Sequence, residues 1–342
     1  MHVLDDRDAL PLYHGGDLAA ARRLFPDAPE PWIDLSTGIN PEPYPVPTFP
    51  PETFSRLPDR DALRALEHLA ARRYSAPAPA EVVAVPGTQA VIQLLPRLIE
   101  AKRIGILGFT YGEYAEVWRR EGQMPEFAQS LEDLQACDLA IVVNPNNPDG
   151  RLATAEDLAA LAKRLARKGG LLLVDEAFVD LLPAAASLVP EFPDAGALVL
   201  RSFGKVFGLP GVRLGFAVTN ALIGESLRSL LGPWAVSGPA IALGHAALQD
   251  DAWFGALSAR LEGSAKIVDA ALRQCGAERI GGTPLFQLFA HGEAQRIFSG
   301  FGREGVLLRR FPEQPNWLRI GLVASVFEAR LQETAARVAK TL

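Results

Sequence analysis

The sequence predicts an α/β protein with a large domain on a mostly parallel sheet and a smaller α+β domain after it. Three observations carry this prediction. The chain has 342 residues, beyond the size at which a single core keeps growing. From about residue 80, short apolar runs alternate with amphipathic stretches, the pattern of repeated βαβ units. After about Ser237 the texture changes to long helices, then to a short mixed segment.

In order along the chain, residues 81–86 read as a strand and 89–101 as a helix. A strand at 103–108, a helix at 113–121 and a buried strand at 138–143 follow. A long helix at 154–168 precedes strands at 170–175, 197–202 and 214–218. Helices at 239–248 and 251–275 lead to strands near 285–290, 306–309 and 318–320, with a last helix near the C-terminus. The expected domains are 46–245 (large) and 246–342 (small), with residues 1–45 an N-terminal arm that contributes to the small domain and the substrate site. The many prolines between Pro26 and Pro58 make that arm ordered and extended. In open parallel sheets ligands lie beyond the carboxyl ends of the strands.

Composition narrows the function classes. A hydrophobic content of 49% with 22% charged residues is ordinary for a chain that buries a large core. A formal charge of −6 leaves no basic footprint for nucleic acid or anionic lipid. The two cysteines, Cys137 and Cys275, form no CxxC pair, which fits a reducing cytoplasm and argues against a structural zinc. Met1 to Leu12 is polar and acidic, unlike a signal peptide, and no apolar run reaches bilayer-spanning length.

The run Arg201-Ser202-Phe203-Gly204-Lys205-Val206-Phe207-Gly208-Leu209-Pro210-Gly211-Val212-Arg213-Leu214-Gly215 is the richest in chemistry. A lysine that bonds covalently to an aldehyde must be held rigidly and partly desolvated, so that its amine pKa falls. Glycines let backbone approach a ligand closely, and Ser202 with Arg213 suits a phosphate dianion. Taken alone, the run also reads as a solvated loop. Ser-x-x-Lys is the nucleophile motif of penicillin-binding proteins and β-lactamases as well, but their Ser-Asp-Asn and Lys-Thr-Gly companions do not occur in this sequence.

Further candidates follow other strands. Asp175 ends an apolar run, where a carboxylate is either a helix-start cap or the partner of a buried cation. Asn144-Pro145-Asn146-Asn147-Pro148-Asp149-Gly150 has the composition of a turn, or presents an amide to a ligand. Gly87-Thr88-Gln89 joins a strand to a helix whose free N–H groups and dipole suit a phosphate. Tyr111 is core or a ring-stacking aromatic. Together, each at a strand end, these features point to pyridoxal 5′-phosphate (PLP), whose pyridine nitrogen needs a carboxylate partner to make the ring an electron sink.

On these motifs the chain resembles the fold-type I PLP-dependent enzymes of the aspartate aminotransferase superfamily, over nearly its whole length. The resemblance implies the PLP-dependent transferase-like fold, with Lys205 as the Schiff-base lysine and Asp175 as the pyridinium partner, the two catalytic residues. It places Asn147, in Asn-Pro-Asp-Gly, on the ligand of the phenolic oxygen. Gly87, Thr88, Gln89, Ser202 and Arg213 fall on the phosphate cup, and Tyr111 on the stacking aromatic. Arg319, in Trp317-Leu318-Arg319-Ile320-Gly321, falls on the arginine that grips the substrate carboxylate.

Within the superfamily, the chain resembles the branch holding histidinol-phosphate aminotransferases and L-threonine-O-3-phosphate decarboxylases. Tyr13-His14-Gly15-Gly16-Asp17, Asp34-Leu35-Ser36-Thr37-Gly38-Ile39-Asn40-Pro41, Phe178 and Gly281-Gly282-Thr283-Pro284-Leu285-Phe286 lean toward the decarboxylases. Arg309 lies where the branch has a substrate-phosphate arginine. The implied substrate residues are therefore His14, Gly15, Gly38, Asn40, Asn147, Arg309 and Arg319. Three departures stand out: Gly38 for an asparagine, Leu57 for a tyrosine that reaches the partner subunit's cofactor, and Phe178 for a tyrosine. The expected activity is decarboxylation of L-threonine O-3-phosphate to (R)-1-aminopropan-2-yl phosphate, a cobalamin precursor, by a cytoplasmic homodimer. Transamination, as in histidinol-phosphate aminotransferase, stays open. A non-catalytic ligand-binding relative is the third reading. No metal, nucleic-acid or membrane partner is expected.

Overall fold

The strongest apolar runs become the centre of a seven-stranded sheet in the computed structural model, which describes residues 14–193 and 195–342. Its strands are β1 (Glu81–Val85), β2 (Ile104–Leu107), β3 (Glu126–Ala128), β4 (Leu139–Val143), β5 (Leu171–Asp175), β6 (Ala197–Ser202) and β7 (Gly215–Thr219). They lie in the order β1-β7-β6-β5-β4-β2-β3. Neighbours pair in parallel except at β7, which runs antiparallel to both β1 and β6. Two reversals cancel, so β1 points the same way as the parallel strands. The carboxyl ends of β1, β2, β4, β5 and β6 and the amino end of β7 therefore share one edge.

Strands β4 and β5 are buried at every residue, which is why they read as continuous apolar runs. Leu139, Ile141, Leu171 and Leu173 share one core cluster, and burying each such side chain contributes about 1.5–3 kcal/mol. The helices of this unit include α1 (Arg60–Arg73), α2 (Thr88–Leu98), α3 (Glu113–Arg120), α4 (Ala155–Ala166), α5 (Phe203–Val206), α6 (Ala221–Leu231) and α7 (Gly238–Leu248). In α4, Leu158, Leu161, Ala162 and Leu165 make the buried stripe at helical spacing, and Thr154 caps the start by accepting from the Asp157 N–H. Asp59, Asn220 and Ser237 cap α1, α6 and α7 in the same way.

The chain divides into two units, Glu42–Ala256 and Leu257–Leu342 with the described residues up to Pro41. The second unit has a four-stranded antiparallel sheet of β8 (Glu278–Thr283), β9 (Phe286–Ala290), β10 (Arg309–Phe311) and β11 (Gln314–Gly321), in the order β10-β11-β9-β8. With it go α8 (Leu257–Gln274), α9 (Ala294–Arg303) and α10 (Glu328–Ala339). Trp32, Leu272, Phe289, Phe298, Ile320 and Leu331 belong to its core.

Two sequence expectations are corrected here. The helix expected at 251–275 is two pieces, Asp251–Gly255 and α8, parted at Ala256. The first piece packs Trp253 and Phe254 on Phe207, whereas α8 buries Leu261, Val268 and Leu272 in the other unit. The strand expected at 306–309 is also divided. Val306–Leu307 pairs in parallel with Ile33–Asp34, and Arg309 opens β10 in the antiparallel sheet. Among the described residues no helix is long and apolar enough to cross a membrane. Met1–Leu12 and Tyr13 lie outside the described residues.

Candidate active site

Every residue that the sequence places on the cofactor lines one cavity of about 270 Å3 at the shared strand edge: Gly87, Thr88, Gln89, Tyr111, Asn147, Asp175, Ser202, Lys205 and Arg213. Phe178 lines it too.

Asp175, the last residue of β5, is only 5% exposed. Its Oδ2 accepts from the Tyr114 hydroxyl at 2.8 Å and its Oδ1 from the Ala177 N–H at 3.0 Å. Burial pushes its carboxyl up from the ordinary range; the Tyr114 hydroxyl, the Ala177 amide and the Lys205 ammonium oppose that push. The next residue, Glu176, serves the frame. It accepts from Ser187 Oγ at 2.6 Å, the Leu188 N–H at 2.6 Å and Arg201 Nη1 at 3.2 Å. Arg201 also pairs with Asp180, and its guanidinium lies 4.2 Å from the centre of the Tyr74 ring. Burial works against the Arg201 charge, but the Asp180 and Glu176 carboxylates outweigh it and hold the guanidinium protonated. These pairs tie the end of β6, where Ser202 sits, to the end of β5, where Asp175 sits.

Elsewhere on the cavity wall the Arg213 side chain and the Thr88 backbone come close to two glycines, Gly87 and Gly215. Gly87 starts α2 with φ of +80°, and a Cβ there would come within 2.5 Å of Arg213 Nη2. Arg213 is itself left-handed (φ 56°, ψ 56°), and its Nη1 donates to the Pro210 carbonyl at 3.0 Å. A Cβ on Gly215 would lie 2.9 Å from the Thr88 nitrogen. A guanidinium and the opening N–H groups of an 11-residue helix thus meet at one point, the donor set a phosphate dianion needs.

The Gln89 side chain is engaged elsewhere. Its Nε2 donates to Glu113 Oε2 at 2.7 Å, as does Gln93 Nε2 at 2.8 Å, and its Oε1 accepts from the Tyr111 hydroxyl at 3.1 Å. The buried Glu113 orients Gln89, and Gln89 orients Tyr111. The backbone of Gln89, rather than its amide, is what it offers the phosphate end. Sequence reading did not find Glu113, Gln93 or Tyr114; two polar residues at the buried start of α3 are the signal that marks them.

Lys205 lies in the short α5, partly buried, with Nζ 5.6 Å from the centre of the Phe178 ring. The three asparagines of the 144–150 turn divide their work. Asn144 exchanges hydrogen bonds with the Ala153 backbone at 2.8 and 3.2 Å. Asn146 accepts from Thr110 Oγ1 at 2.6 Å and donates to the Phe109 carbonyl at 3.0 Å. Asn147 lines the cavity.

The remaining candidates lie in the second unit. Arg319 on β11 is 6% exposed, and its Nη2 donates to the Ser36 carbonyl at 2.7 Å. That carbonyl is fixed on several sides. Asp34 Oδ1 accepts from the Ser36 N–H at 2.9 Å, and the Gly16 N–H donates to Ser36 Oγ at 2.8 Å. A Cβ on Gly15 would lie 2.3 Å from the Ser36 carbonyl oxygen. Gly38 and Asn40 are buried, and His14 is exposed. Arg309 on β10 stands directly opposite Arg319 in register, with its guanidinium 5.4 Å from the Phe311 ring centre.

The first cavity fits PLP chemically, with a buried carboxylate for the ring nitrogen, a lysine, an aromatic, and a cationic, donor-rich end for the phosphate. The model of class I and II aminotransferases matches residues 50–338, and the chain belongs to that family. A threonine-phosphate decarboxylase from a Sinorhizobium species is 43% identical over 335 residues, 96% of this chain and 98% of that protein. Another, from Pseudomonas aeruginosa, is 40% identical over 316 residues, 92% of this chain and 93% of that protein. Among solved structures, a histidinol-phosphate aminotransferase from Sinorhizobium meliloti in complex with pyridoxal-5′-phosphate superposes with a TM-score of 0.80 over 100% of this chain and 99% of that one. At 17% identity, that likeness speaks for the fold.

Proposed function

We propose that this chain is a PLP-dependent carboxy-lyase that converts L-threonine O-3-phosphate into (R)-1-aminopropan-2-yl phosphate and CO2, chemistry that serves cobalamin biosynthesis. The observation that carries the reading is 43% identity to a threonine-phosphate decarboxylase across nearly the whole of both chains. The facing pair Arg309 and Arg319 supports it, because this substrate brings two anionic groups.

Lys205 would hold the cofactor covalently through its ε-amine, and Asp175 would keep the ring nitrogen protonated. Asn147 would contact the phenolic oxygen, where Phe178 offers no hydroxyl. Thr88, Ser202, Arg213 and the backbone of Gly87 and Gln89 would hold the phosphate, with the Tyr111 ring stacked on the cofactor. Bound there, PLP supplies an electron sink for charge left on the substrate's α-carbon. Arg319 takes the α-carboxylate and Arg309, with His14 and Asn40, the phosphate; Gly15 packs closely on the Ser36 carbonyl, and Gly38 lies on the same substrate-facing arm. Remote phosphate binding orients the bond that breaks. As the bond to the carboxylate carbon breaks and CO2 departs, the electron pair stays with the α-carbon. The substrate's ammonium, in taking the place of Lys205 on the cofactor, would pass its protons to the freed ε-amine, and the Lys205 ammonium would then deliver the replacing proton to that carbon.

The test is CO2 release from L-threonine O-3-phosphate with no keto acid present, and its loss in Lys205→Ala together with the near-ultraviolet to visible band of the bound cofactor. Strict dependence on 2-oxoglutarate, with amino transfer and no CO2, would replace this reading by an aminotransferase.

The reading includes a homodimer in the cytoplasm, the compartment that suits two free buried thiols. A groove of about 880 Å3 in the large unit, bordered by α1 and residues 228–236, supports the dimer. So do the exposed apolar side chains of Phe54 (68%), Leu57 (68%) and Trp234 (57%).

A further inference from the structure

The first turn of α3 carries two consecutive buried polar residues, Glu113 and Tyr114. A polar group stays in a core only with a partner. Glu113 finds Gln89 and Gln93, and so reaches Tyr111. Tyr114, fully buried, turns its hydroxyl to Asp175 Oδ2 at 2.8 Å. Its ring meets Tyr111 edge-on, with centroids 6.2 Å apart at 83°. One helical turn therefore reaches two walls of the cavity, the stacking aromatic and the buried carboxylate.

Asp175 has an amide from Ala177 on its other oxygen, and the Lys205 ammonium as the charged group favouring its ionised form. Burial, and then the Asp175 charge, raise the Tyr114 hydroxyl well above the ordinary phenol range, so it keeps its proton and serves the carboxylate as a donor. A hydrogen bond to an ionised acceptor stabilises the ionised form.

We propose that Tyr114 is a positioning residue for the cofactor's ring nitrogen: its hydroxyl fixes Asp175 as the anionic partner of that nitrogen. This rests on the PLP reading above and adds a residue outside the cavity lining. Without the hydroxyl, Asp175 drifts toward its neutral form, and a neutral carboxylic acid does not hold a pyridinium proton. Tyr114 touches neither substrate nor cofactor in this role; it acts through Asp175.

The experiment compares wild type and Tyr114→Phe in binding two compounds, measured by fluorescence titration of the cofactor-stripped protein. One is PLP; the other is 1-deaza-PLP, in which C–H replaces the ring nitrogen. The expected result is a PLP dissociation constant about tenfold higher in the variant, the loss of one charge-assisted hydrogen bond. Binding of 1-deaza-PLP should be unchanged. In the holoenzyme, kcat should fall while the Michaelis constant for substrate holds. Equal weakening for both compounds would reveal a merely structural tyrosine and overturn the proposal, as would no weakening for either. If Tyr114→Phe does not fold, Tyr114→Met, which fills the space without a donor, takes the same measurements. A wild type that binds no PLP at all defeats the cofactor reading itself. A wild type that binds PLP and 1-deaza-PLP equally well defeats the role of Asp175, and the proposal with it.

Discussion

At the scale of residues, Asp175 concentrates the electrostatics of the site. Its carboxyl is raised by burial, against the help of Tyr114, Ala177 and Lys205. A carboxyl whose folded pKa exceeds its unfolded value of about 4 adds stability that is complete below that pH. The contribution is lost as pH rises through the folded value. Cofactor-free Asp175→Asn should therefore gain melting temperature relative to cofactor-free wild type as pH rises from about 4 toward 8. Melts at stepped pH check this, and a constant difference would mean that Asp175 titrates as in the unfolded chain. Lys205, Asp175, Asn147 and Arg213 were legible in the sequence because each sits in a short run whose glycines, prolines and apolar strand lie beside it. Tyr114, Glu113 and Arg201 were not, because their partners lie far along the chain. Tyr114 and Asp175 are 61 residues apart, and only the fold makes them a pair.

At the scale of elements, β11 shows how close packing carries function. A Cβ on Gly321 would lie 2.1 Å from the Thr37 carbonyl oxygen and 3.4 Å from that of Leu35. The Gly321 N–H also donates to the Leu35 carbonyl at 2.7 Å. Gly321→Ala must displace the segment that carries Ser36, and with it the carbonyl that holds Arg319. For the proposed substrate, L-threonine O-3-phosphate, the Michaelis constant should rise about tenfold, the cost of one hydrogen bond to a charged group. PLP affinity, measured by titration, should not change; a variant with wild-type kinetics would show that the segment adjusts freely. Strands with long buried apolar runs, such as β4 and β5, were plain in the sequence. β8, with Gly281 and Gly282 and an exposed start, was not. The division at Leu308 was hidden for a different reason: no turn residue parts Val306–Leu307 from Arg309–Phe311, so nothing local shows that they pair in different sheets.

At the scale of the whole molecule, the groove bordered by α1 bears on association. In solution the protein should run at twice its chain mass of 36.8 kDa by light scattering. Trp234→Glu, which puts a charge on the groove's exposed aromatic, should shift it toward a single chain. Wild type at the mass of one chain would end the dimer reading. The division into a large α/β unit and a second α+β unit was visible as a change of texture, because helix and strand periods alternate in one and not in the other. The N-terminal arm was read as part of the small domain, but not the parallel pairing of Ile33–Asp34 with Val306–Leu307, which spans almost the full sequence and leaves no local sign.

The place of β1 at the sheet edge has a consequence for synthesis. β1 is made early, yet its neighbour in the sheet is β7, and the other strands of the sheet are made between the two. A growing chain can assemble β2 to β6 in sequence while β1 waits without a strand to pair with, until residues 215–219 have left the ribosome. Gly87 and Thr88 follow β1 directly, and Arg213 just precedes β7, so both halves of the phosphate end arrive in the same late event. On the proposed PLP site, cofactor capture would wait for the insertion of this last strand of the sheet, and PLP uptake during synthesis would report it.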